Sequence, residues 1–272
     1  MFWKSALKGL PILLLALFLS SCSEYQKVLK SADLDYKFSK AVEYYNKGKF
    51  NKALPIFDEL LTQFRGSNKA EEVYYYYAQT HYALSDFILA GYHFKNFYKT
   101  FPNSKYADEA GFKSAYCNYL ESPKYSLDQG FTYKAMNEIQ LYVNTHPRSA
   151  KLEECNALME ELRDKLERKS FETAKQYFHM ELYQAAVSAF NSTLNDFPDT
   201  QFREEIYFLR LIASYELAVL SIEEKQKQRF IEALTSYNDL NIYFPNTSYR
   251  KRADEVRDNI QEALGQLKNN NS

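Results

Sequence analysis

The sequence predicts an all-α fold, an α-solenoid of about five helical hairpins closed by a C-terminal capping helix. Gly and Pro number only 7 each among 272 residues, whereas Tyr and Phe number 24 and 20. Few helix-breaking residues and many large apolar ones favour long helices over a turn-rich β fold. Two further observations predict tandem hairpins: a short motif recurs along the chain, and aromatic residues recur at helical spacing.

The recurring motif predicts where each hairpin ends. Four copies contain Pro and a degenerate first copy has Arg in its place: Phe64–Ser67, Phe101–Ser104, His146–Ser149, Phe197–Thr200 and Phe244–Thr247. Pro cannot continue a helix, so each motif should stop the second helix of a hairpin. We expect the closing Ser or Thr to N-cap the next helix. Acidic pairs that follow, such as Glu71 and Glu72, suit a helix N-terminus.

Small and large residues also recur inside each predicted hairpin, at offsets of three and four that share one face of a helix. The second helices have an alanine in common: Ala53, Ala90, Ala135, Ala186 and Ala233. The first helices carry aromatics at two fixed positions, seven residues apart. The first-position aromatics are Phe38, Tyr75, Phe112, Phe171 and Phe208, and the second-position aromatics are Tyr45, Tyr82, Tyr119, Phe178 and Tyr215.

These spacings resemble the tetratricopeptide repeat over residues 33–247. The alignment gives five repeats: 33–65, 68–102, 105–147, 150–198 and 201–245. Repeats three and five carry insertions near 123–130 and 221–228. Repeat four has 14 extra residues before Ala174, which predict one long helix over 151–179. Residues 249–268 are amphipathic and should form the capping helix. We group the repeats as 33–147 and, with the long and capping helices, 148–268.

The first residues predict a lipoprotein signal peptide, residues 1–21, outside the fold. Two lysines precede an apolar run at 10–19 that is too short to span a membrane. The run ends in Leu19-Ser20-Ser21-Cys22, which resembles the lipobox of bacterial lipoproteins. That resemblance implies lipidation of Cys22 and a lipidated tether at 22–32, anchored by more than one acyl chain. The alternative is an ordinary secretory signal that contains a Cys.

The sequence contains no recognisable catalytic motif. Nucleophile-elbow, P-loop and dinucleotide fingerprints are missing, and none of the four histidines has a His or acidic residue at metal-ligand spacing. Cys117 and Cys155 are expected to be small buried helix residues, although an exported chain permits a disulfide. The net charge of -1 does not favour nucleic-acid binding. We therefore expect a non-enzymatic binding scaffold with no cofactor beyond the lipid on Cys22.

The aromatic residues form the candidate binding surface. In tetratricopeptide folds the first helices line a concave groove, and Tyr gives contact area at low entropic cost. Some of these aromatics must instead pack between repeats, and the four tyrosines at 74–77 cannot all be buried on one helix. We expect the groove of the first two repeats to bind a peptide mainly by aromatic contact. The candidate residues are Phe38, Tyr45, Asn46, Tyr75 and Tyr82.

The lipobox, the five repeats and the stretch Phe101–Ala110 together resemble the BamD family of outer-membrane β-barrel assembly lipoproteins. Residues 22–31 resemble its Bacteroidetes branch. The resemblance implies an outer-membrane protein that faces the periplasm and binds unfolded β-barrel clients near its N-terminal repeats. It also implies a BamA-type barrel bound through the C-terminal repeats, beside other assembly-complex lipoproteins. Arg203 and Arg210 are candidates for the BamA contact.

Three other interpretations remain open. A periplasmic tetratricopeptide adaptor of another cell-envelope complex shares the repeat, but such adaptors often have a coiled-coil segment, and no N-terminal heptads occur here. A SusD-type glycan-binding lipoprotein also carries these repeats and aromatics, but in a much longer chain. An enzyme has no positive feature in this sequence.

Overall fold

The computed structural model describes residues 24–270, and every regular element in that range is an α-helix. Helix α1 covers residues 24–30 of this range. The helices that follow are α2 (Leu34–Asn46), α3 (Phe50–Gln63), α4 (Ala70–Ala83), α5 (Phe87–Thr100), α6 (Ala107–Leu120), α7 (Gly130–Thr145), α8 (Leu152–His179), α9 (Tyr183–Asp196), α10 (Arg203–Val219), α11 (Glu223–Tyr243) and α12 (Arg250–Asn270). The prediction of an all-α, tetratricopeptide-like fold is confirmed. The expected signal peptide and Cys22 lie outside the described residues.

The chain divides into two compact units. The N-terminal unit runs to Pro123 and resumes over Asp128–Leu162, whereas the C-terminal unit comprises Lys124–Leu127 and the residues from Arg163 onward. The boundary therefore falls inside α8. This helix is 28 residues long and confirms the prediction of one long helix in repeat four.

The N-terminal unit is built around hydrophobic clusters shared by neighbouring helices. In the first cluster, Val28 of α1 is fully buried with Ala41 and Phe57. Part of the expected tether is thus helical and packed. The interpretation of the two cysteines as small buried helix residues is confirmed, because Cys117 and Cys155 are free and buried.

The C-terminal unit has two clusters. One brings Phe171 and Ala174 of α8 against Phe190 of α9. The other joins α10 and α11 to α12, where Ala253 and Ile260 are fully buried. Helix α12 therefore covers the last hairpin, as a capping helix should. The alanines shared by the aligned repeats are all 0% exposed: Ala53, Ala90, Ala135, Ala186 and Ala233.

Three hairpins turn through a residue in the left-handed conformation. Gly48, Ser85 and Glu181 have φ values of 68°, 60° and 59°. In the first turn the amide of Lys49 bonds to the carbonyl of Tyr44 at 2.8 Å, and equivalent bonds close the other two turns. This is the Schellman arrangement, which satisfies carbonyls at the end of a helix.

The recurring motif forms a turn that precedes the next helix. In Phe101–Ser104 the Ser104 amide bonds to the Phe101 carbonyl at 3.0 Å, which places Pro102 at the second position of a turn, where its fixed φ fits. The Ser104 hydroxyl then accepts a hydrogen bond from the amide of Tyr106. The N-cap prediction is wrong, because helix α6 begins at Ala107 and its N-cap, Tyr106, makes no side-chain cap bond. The Ser or Thr orders the turn instead.

In four of the five motifs, the hydroxyl of the closing Ser or Thr also forms a hydrogen bond between consecutive repeats. Each donates to a carboxylate on the preceding repeat's first helix, at 2.6–2.9 Å, in four pairs: Ser104–Glu71, Ser149–Asp108, Thr200–Glu167 and Thr247–Glu204. We call these four pairs the repeat clasps. In repeat four the clasping acid is Glu167, not Glu153, because the 14 extra residues displace the repeat along α8. Glu71, Asp108 and Glu204 thus link repeats as well as lying in the first turn of a helix.

Candidate peptide-binding surface

The first-position aromatics are covered by the next repeat. The residue two positions after each motif's Ser or Thr lies across the ring face, either as a stacked ring or as a lysine ammonium. Stacked centroids are 4.0–4.4 Å apart and the ammonium groups lie 4.9–5.8 Å from the centroid. The pairs are Phe38–Lys69, Tyr75–Tyr106, Phe112–Lys151, Phe171–Phe202 and Phe208–Tyr249. This position therefore packs repeat against repeat in all five hairpins.

Tyr75 belongs to the core of the N-terminal unit. It is 8% exposed, stacks on Tyr106, and its hydroxyl accepts a 2.5 Å hydrogen bond from Gln79 Nε2. Burial raises the pKa of Tyr75, and the Glu109 carboxylate adds to this shift. A side chain so enclosed is closed to a ligand, and it contacts Tyr76 and Tyr106 instead.

The second-position aromatics are more open. Tyr45 and Tyr82 are half-buried, and each ring packs edge-on against the first aromatic of its own hairpin's second helix, Phe50 at 5.4 Å and Phe87 at 5.6 Å. Burial raises the pKa of both phenols. Within residues 24–270 neither hydroxyl has a hydrogen-bond partner, whereas the equivalent Tyr119 hydroxyl donates to Glu161. Two phenol donors thus remain open in the first two repeats.

Tyr76 joins the candidate residues of repeat one. Its ring stacks on Phe57 at 5.7 Å and meets both Phe38 (6.2 Å) and Tyr45 (5.4 Å) edge-on. Phe38 is half-buried in this cluster, and Asn46 is exposed at the last position of α2. We did not single out Tyr76 from the sequence, although it lies in the tyrosine run 74–77. Of that run Tyr75 alone is buried, as the helical geometry requires that some remain accessible.

A polar network lies beside Tyr82. The Lys113 ammonium is 5.1 Å from the Tyr82 ring centroid and contacts Gln79 Oε1 at 2.7 Å and Glu109 at 2.9 Å. Burial opposes ionisation of Glu109, but hydrogen bonds from Tyr75 and Lys113 outweigh it and lower the pKa of Glu109. The surface beside Tyr82 thus carries a charge pair, Lys113 with Glu109, and the Gln79 amide next to an open phenol. Sequence reasoning missed these residues because their types carry no motif.

The two candidate arginines both lie on Tyr207, in the C-terminal unit. Arg210 is 4.8 Å from its ring centroid and Arg203 is 5.7 Å from it. The Arg210 side chain is only 12% exposed, forms a 2.5 Å ion pair with Asp239 and donates to Asn191. Arg203 is half-buried and also lies 5.1 Å from the exposed Tyr243. Arg210 is committed to internal contacts, whereas Arg203 borders the surface.

Two histidines that we treated separately in the sequence are neighbours. The His81 and His93 rings stack at 5.3 Å, and His81 Nδ1 is 3.2 Å from the Asp86 carboxylate. Burial, reinforced by His81, lowers the pKa of His93 to about 4. Even so, no cluster of three potential metal ligands occurs in the part of the chain that the structure describes. Nor does any helix there have the length and apolar character needed to cross a bilayer.

Comparisons with known proteins identify one family. The sequence model of a family described as "YfiO: Outer membrane lipoprotein" matches residues 31–229, and a search of curated proteins finds no match. Among solved structures, the complex of the TPR2AB domain of yeast Sti1 with pHSP90 aligns with a TM-score of 0.39 and 13% identity, over 84% of this chain and 98% of that one. The TPR domain of P58(IPK) aligns with a TM-score of 0.40 and 14% identity, over 92% and 68%.

Proposed function

Because the chain belongs to the YfiO family of outer membrane lipoproteins, which is the family of BamD, we propose that it is a scaffold for β-barrel assembly. In this proposal it is held at the outer membrane by lipid on Cys22 and faces the periplasm. It binds unfolded outer-membrane proteins and a BamA-type barrel, and assists insertion without catalysing a reaction.

One observation supports client binding at the first two repeats. Tyr45 and Tyr82 keep open hydroxyls on rings that are already packed against Phe50 and Phe87. A fixed phenol loses little entropy on binding and offers both apolar area and a hydrogen bond. An extended client segment, whose backbone amides and carbonyls are unpaired, needs both kinds of contact.

In this proposal most of the remaining candidate residues contact the client directly, and one supports them from the core. Asn46 is exposed beside Tyr45 and adds an amide, and Lys113 with Gln79 adds polar contacts beside Tyr82. Phe38 contributes the edge of its ring. Tyr75 supports these residues from the core and does not touch the client.

The BamA-type partner and the other assembly lipoproteins are proposed for the C-terminal repeats, where Arg203 and Tyr243 form an accessible cation–aromatic pair. Arg210 supports that surface through Tyr207. Co-purification from detergent-solubilised outer membrane tests this part of the proposal. Recovery of a β-barrel partner is the expected outcome, and recovery of a glycan-uptake or division complex in its place would contradict it.

Removing single hydroxyls tests the client site without disturbing the fold. Tyr45→Phe and Tyr82→Phe keep the ring packing, so we expect unchanged helicity and a loss of affinity of about 3- to 10-fold each, the value of one hydrogen bond. Tyr82→Ala should cost about 30-fold, as for an interface hot spot. Affinity is measured by fluorescence anisotropy with a labelled peptide that ends in an aromatic residue.

Tyr119→Phe is the matched control, because it removes a second-position hydroxyl that is already bonded to Glu161. It should leave peptide affinity unchanged. If the peptide binds equally well to wild type, Tyr45→Phe and Tyr82→Ala, this groove is not the client site.

A further inference from the structure

Two neighbouring hairpins of the C-terminal unit leave an apolar depression open at one end. It lies between the turn that joins α8 to α9 and the C-terminal end of α10, and its volume is about 640 Å³. The apolar residues that line it are Leu182, Tyr183, Ala185, Leu217 and Leu220. We call this feature the hairpin-end depression.

Exposed apolar side chains continue around the hairpin-end depression. Met180, Leu220 and Ile222 are each more than half exposed, and Leu182 is only slightly less so. Scattered apolar side chains are ordinary on a protein surface, whereas a contiguous group marks a contact site for another molecule. Here the two turns bring their apolar residues together, because Leu182 and Leu220 line the same depression. The surface therefore suits a partner with an apolar face.

The two chain segments that form this surface carry only negative charge. Residues 180–188 and 214–224 contain no Lys, Arg or His. They contain four glutamates: Glu181, Glu216, Glu223 and Glu224. No ion pair involves any of these four carboxylates within residues 24–270. Burial raises the pKa of Tyr183 and the carboxylates of Glu181 and Glu216 add to this shift, so both charges lie at the depression.

The helices do not account for two of these glutamates. Glu223 and Glu224 lie in the first turn of α11, where the helix dipole favours negative charge. Glu216, in contrast, lies in the last turn of α10, and Glu181 follows the end of α8 by two residues. Negative charge at a helix C-terminus is unfavourable, so these two carboxylates weaken the helices beside them. A cationic partner would offset that effect.

Charge and backbone pairing together select the kind of partner. A second copy of this surface would oppose like charges, and an anionic bilayer would be repelled as well. An extended peptide gains few backbone hydrogen bonds, because the amides of Glu181, Leu182 and Leu220 already bond to carbonyls of this chain. An amphipathic helix has its own backbone paired and presents an apolar stripe to a groove. The matching occupant is a helix whose stripe is flanked by Lys or Arg.

We infer that the hairpin-end depression docks a cationic amphipathic helix of another protein. The apolar stripe of that helix packs on Leu182, Leu217 and Leu220. Its basic side chains pair with the carboxylates of Glu181 and Glu216.

This docking surface is separate from the pair formed by Arg203 and Tyr243. Helix α10 begins at Arg203, and its 17 residues place Leu220 about 25 Å from that end. The inference therefore goes beyond the proposed function and adds a second partner surface to the C-terminal unit.

The test uses the full-length protein in detergent and three fluorescein-labelled peptides without aromatic residues. Each has about 18 residues, enough to form a helix. The first has a Leu stripe flanked by Lys, the second has Glu in place of Lys, and the third has the composition of the first with the stripe scrambled. In fluorescence anisotropy at low salt, the first peptide should bind at least about tenfold more tightly than either of the others. Equal affinity for the first peptide and either of the others would overturn the proposal.

Variants assign the binding to the hairpin-end depression. Leu220→Gln should weaken binding of the first peptide about tenfold, whereas Ile242→Gln, at a similarly exposed position near the other end of α11, should leave it unchanged. Glu216→Gln should weaken it about two- to fivefold without lowering the melting temperature, because the carboxylate is unfavourable to α10. Glu255→Gln on the exposed face of α12 is the control for that charge. Equal affinity of Leu220→Gln and Ile242→Gln for the first peptide would also overturn the proposal.

An environment-sensitive dye distinguishes the other possible occupants. It is attached to the Ile222→Cys variant, which is labelled selectively because Cys117 and Cys155 are buried. Its emission should shift to the blue when the first peptide is added. A blue shift on raising the protein concentration alone would assign the surface to a second copy. A blue shift on reconstitution into vesicles of phosphatidylethanolamine and phosphatidylglycerol would assign it to the bilayer, and either of these two results would contradict the inference.

Failure of this inference is distinguishable from failure of the proposed client groove. Tyr82→Ala should leave binding of the Leu–Lys peptide unchanged, because that peptide has no aromatic residue. Leu220→Gln should likewise leave binding of the aromatic-ended client peptide unchanged. Loss of one binding activity without the other therefore identifies which of the two surfaces is wrong.

Discussion

The Thr200 hydroxyl and the Glu167 carboxylate form a 2.7 Å hydrogen bond between side chains that are each only 4% exposed. The same carboxylate accepts a second bond, from the Gln201 amide at 3.2 Å. This is the most enclosed of the four repeat clasps. Because a buried carboxylate is costly without hydrogen-bond partners, this contact fixes where repeat five begins relative to repeat four.

Thr200→Val should destabilise the protein by about 1.5–3 kcal/mol. Valine has nearly the shape of threonine but no donor, so Glu167 keeps its burial and loses its strongest partner. Urea unfolding followed by circular dichroism measures the change. Thr235→Val is the matched control, because Thr235 is exposed and bonds only to a carbonyl of its own helix. It should stay within about 0.5 kcal/mol of wild type, and an equal effect of both variants would show that the clasp adds no stability.

Gly91→Ala should also destabilise, although alanine normally favours a helix. A Cβ at Gly91 of α5 would lie 3.1 Å from Cys117 Cβ of α6. That atom is attached to the backbone and cannot rotate away, so the two helices must separate at a cost of about 1–3 kcal/mol. Thermal unfolding checks the sign of the change.

Gly265→Ala provides the opposite case in α12. Nothing lies within 4 Å of a Cβ at Gly265, so only the helix preference operates and stability should rise by about 0.5–1 kcal/mol. A rise in melting temperature for both glycine variants would mean that α5 and α6 approach less closely than the structure has them.

The helices could be predicted from the sequence because the five repeats place equivalent residues at the same spacing. The long helix was predicted over 151–179 and found at Leu152–His179, since a run of helix-forming residues without Gly or Pro leaves little alternative. The prediction that Ser104 N-caps helix α6 was wrong, because the N-cap is Tyr106. The Ser104 hydroxyl has two possible partners, a nearby amide and the distant Glu71, and only the folded arrangement determines that it serves both.

The candidate site was harder to predict, for a physical reason. Repetition identifies which residues are equivalent but not what covers them. Tyr75 and Tyr82 have the same residue type in the same helix, yet Tyr75 lies under Tyr106 and Tyr82 stays half-open. The covering residue comes from the next repeat, and at the equivalent position it is Lys69 in one repeat and Tyr106 in another.

Acidification should destabilise the protein through His93. Its folded-state pKa is lowered to about 4 by burial and by His81, from an ordinary value of 6.5. Between these values the unfolded chain binds a proton that the folded chain does not, so stability is lost as pH falls from about 6.5 to 4 and levels off below that. Asp86 and Asp58 oppose this shift and Tyr77 packs edge-on against both rings.

His93→Phe isolates this contribution. The variant keeps an aromatic ring but cannot titrate, so its melting temperature should fall less than that of wild type between pH 7 and pH 4.5. Groups remote from position 93 are the same in both proteins and cancel in the comparison. An identical fall in both proteins would assign the acid sensitivity to other residues.

Substitutions of the two arginines should have different effects: Arg210→Ala should reduce stability, and Arg203→Ala should reduce partner binding. Arg210→Ala removes the partner of Asp239 and the cover of Tyr207 in a site where the arginine is 12% exposed, and we expect a loss of about 1–3 kcal/mol from the group left unpaired. Arg203→Ala removes contacts with Tyr243 and the Pro198 carbonyl at the surface, so its effect on stability should stay below about 1 kcal/mol. Urea unfolding measures both variants, and co-purification of the barrel partner is measured in parallel.

Arg203→Ala should reduce partner recovery at wild-type stability, because the Arg203 guanidinium and Tyr243 are the accessible pair. Full recovery with Arg203→Ala would move the partner interface away from this surface, and wild-type stability of Arg210→Ala would mean that the ion pair with Asp239 contributes nothing to the fold.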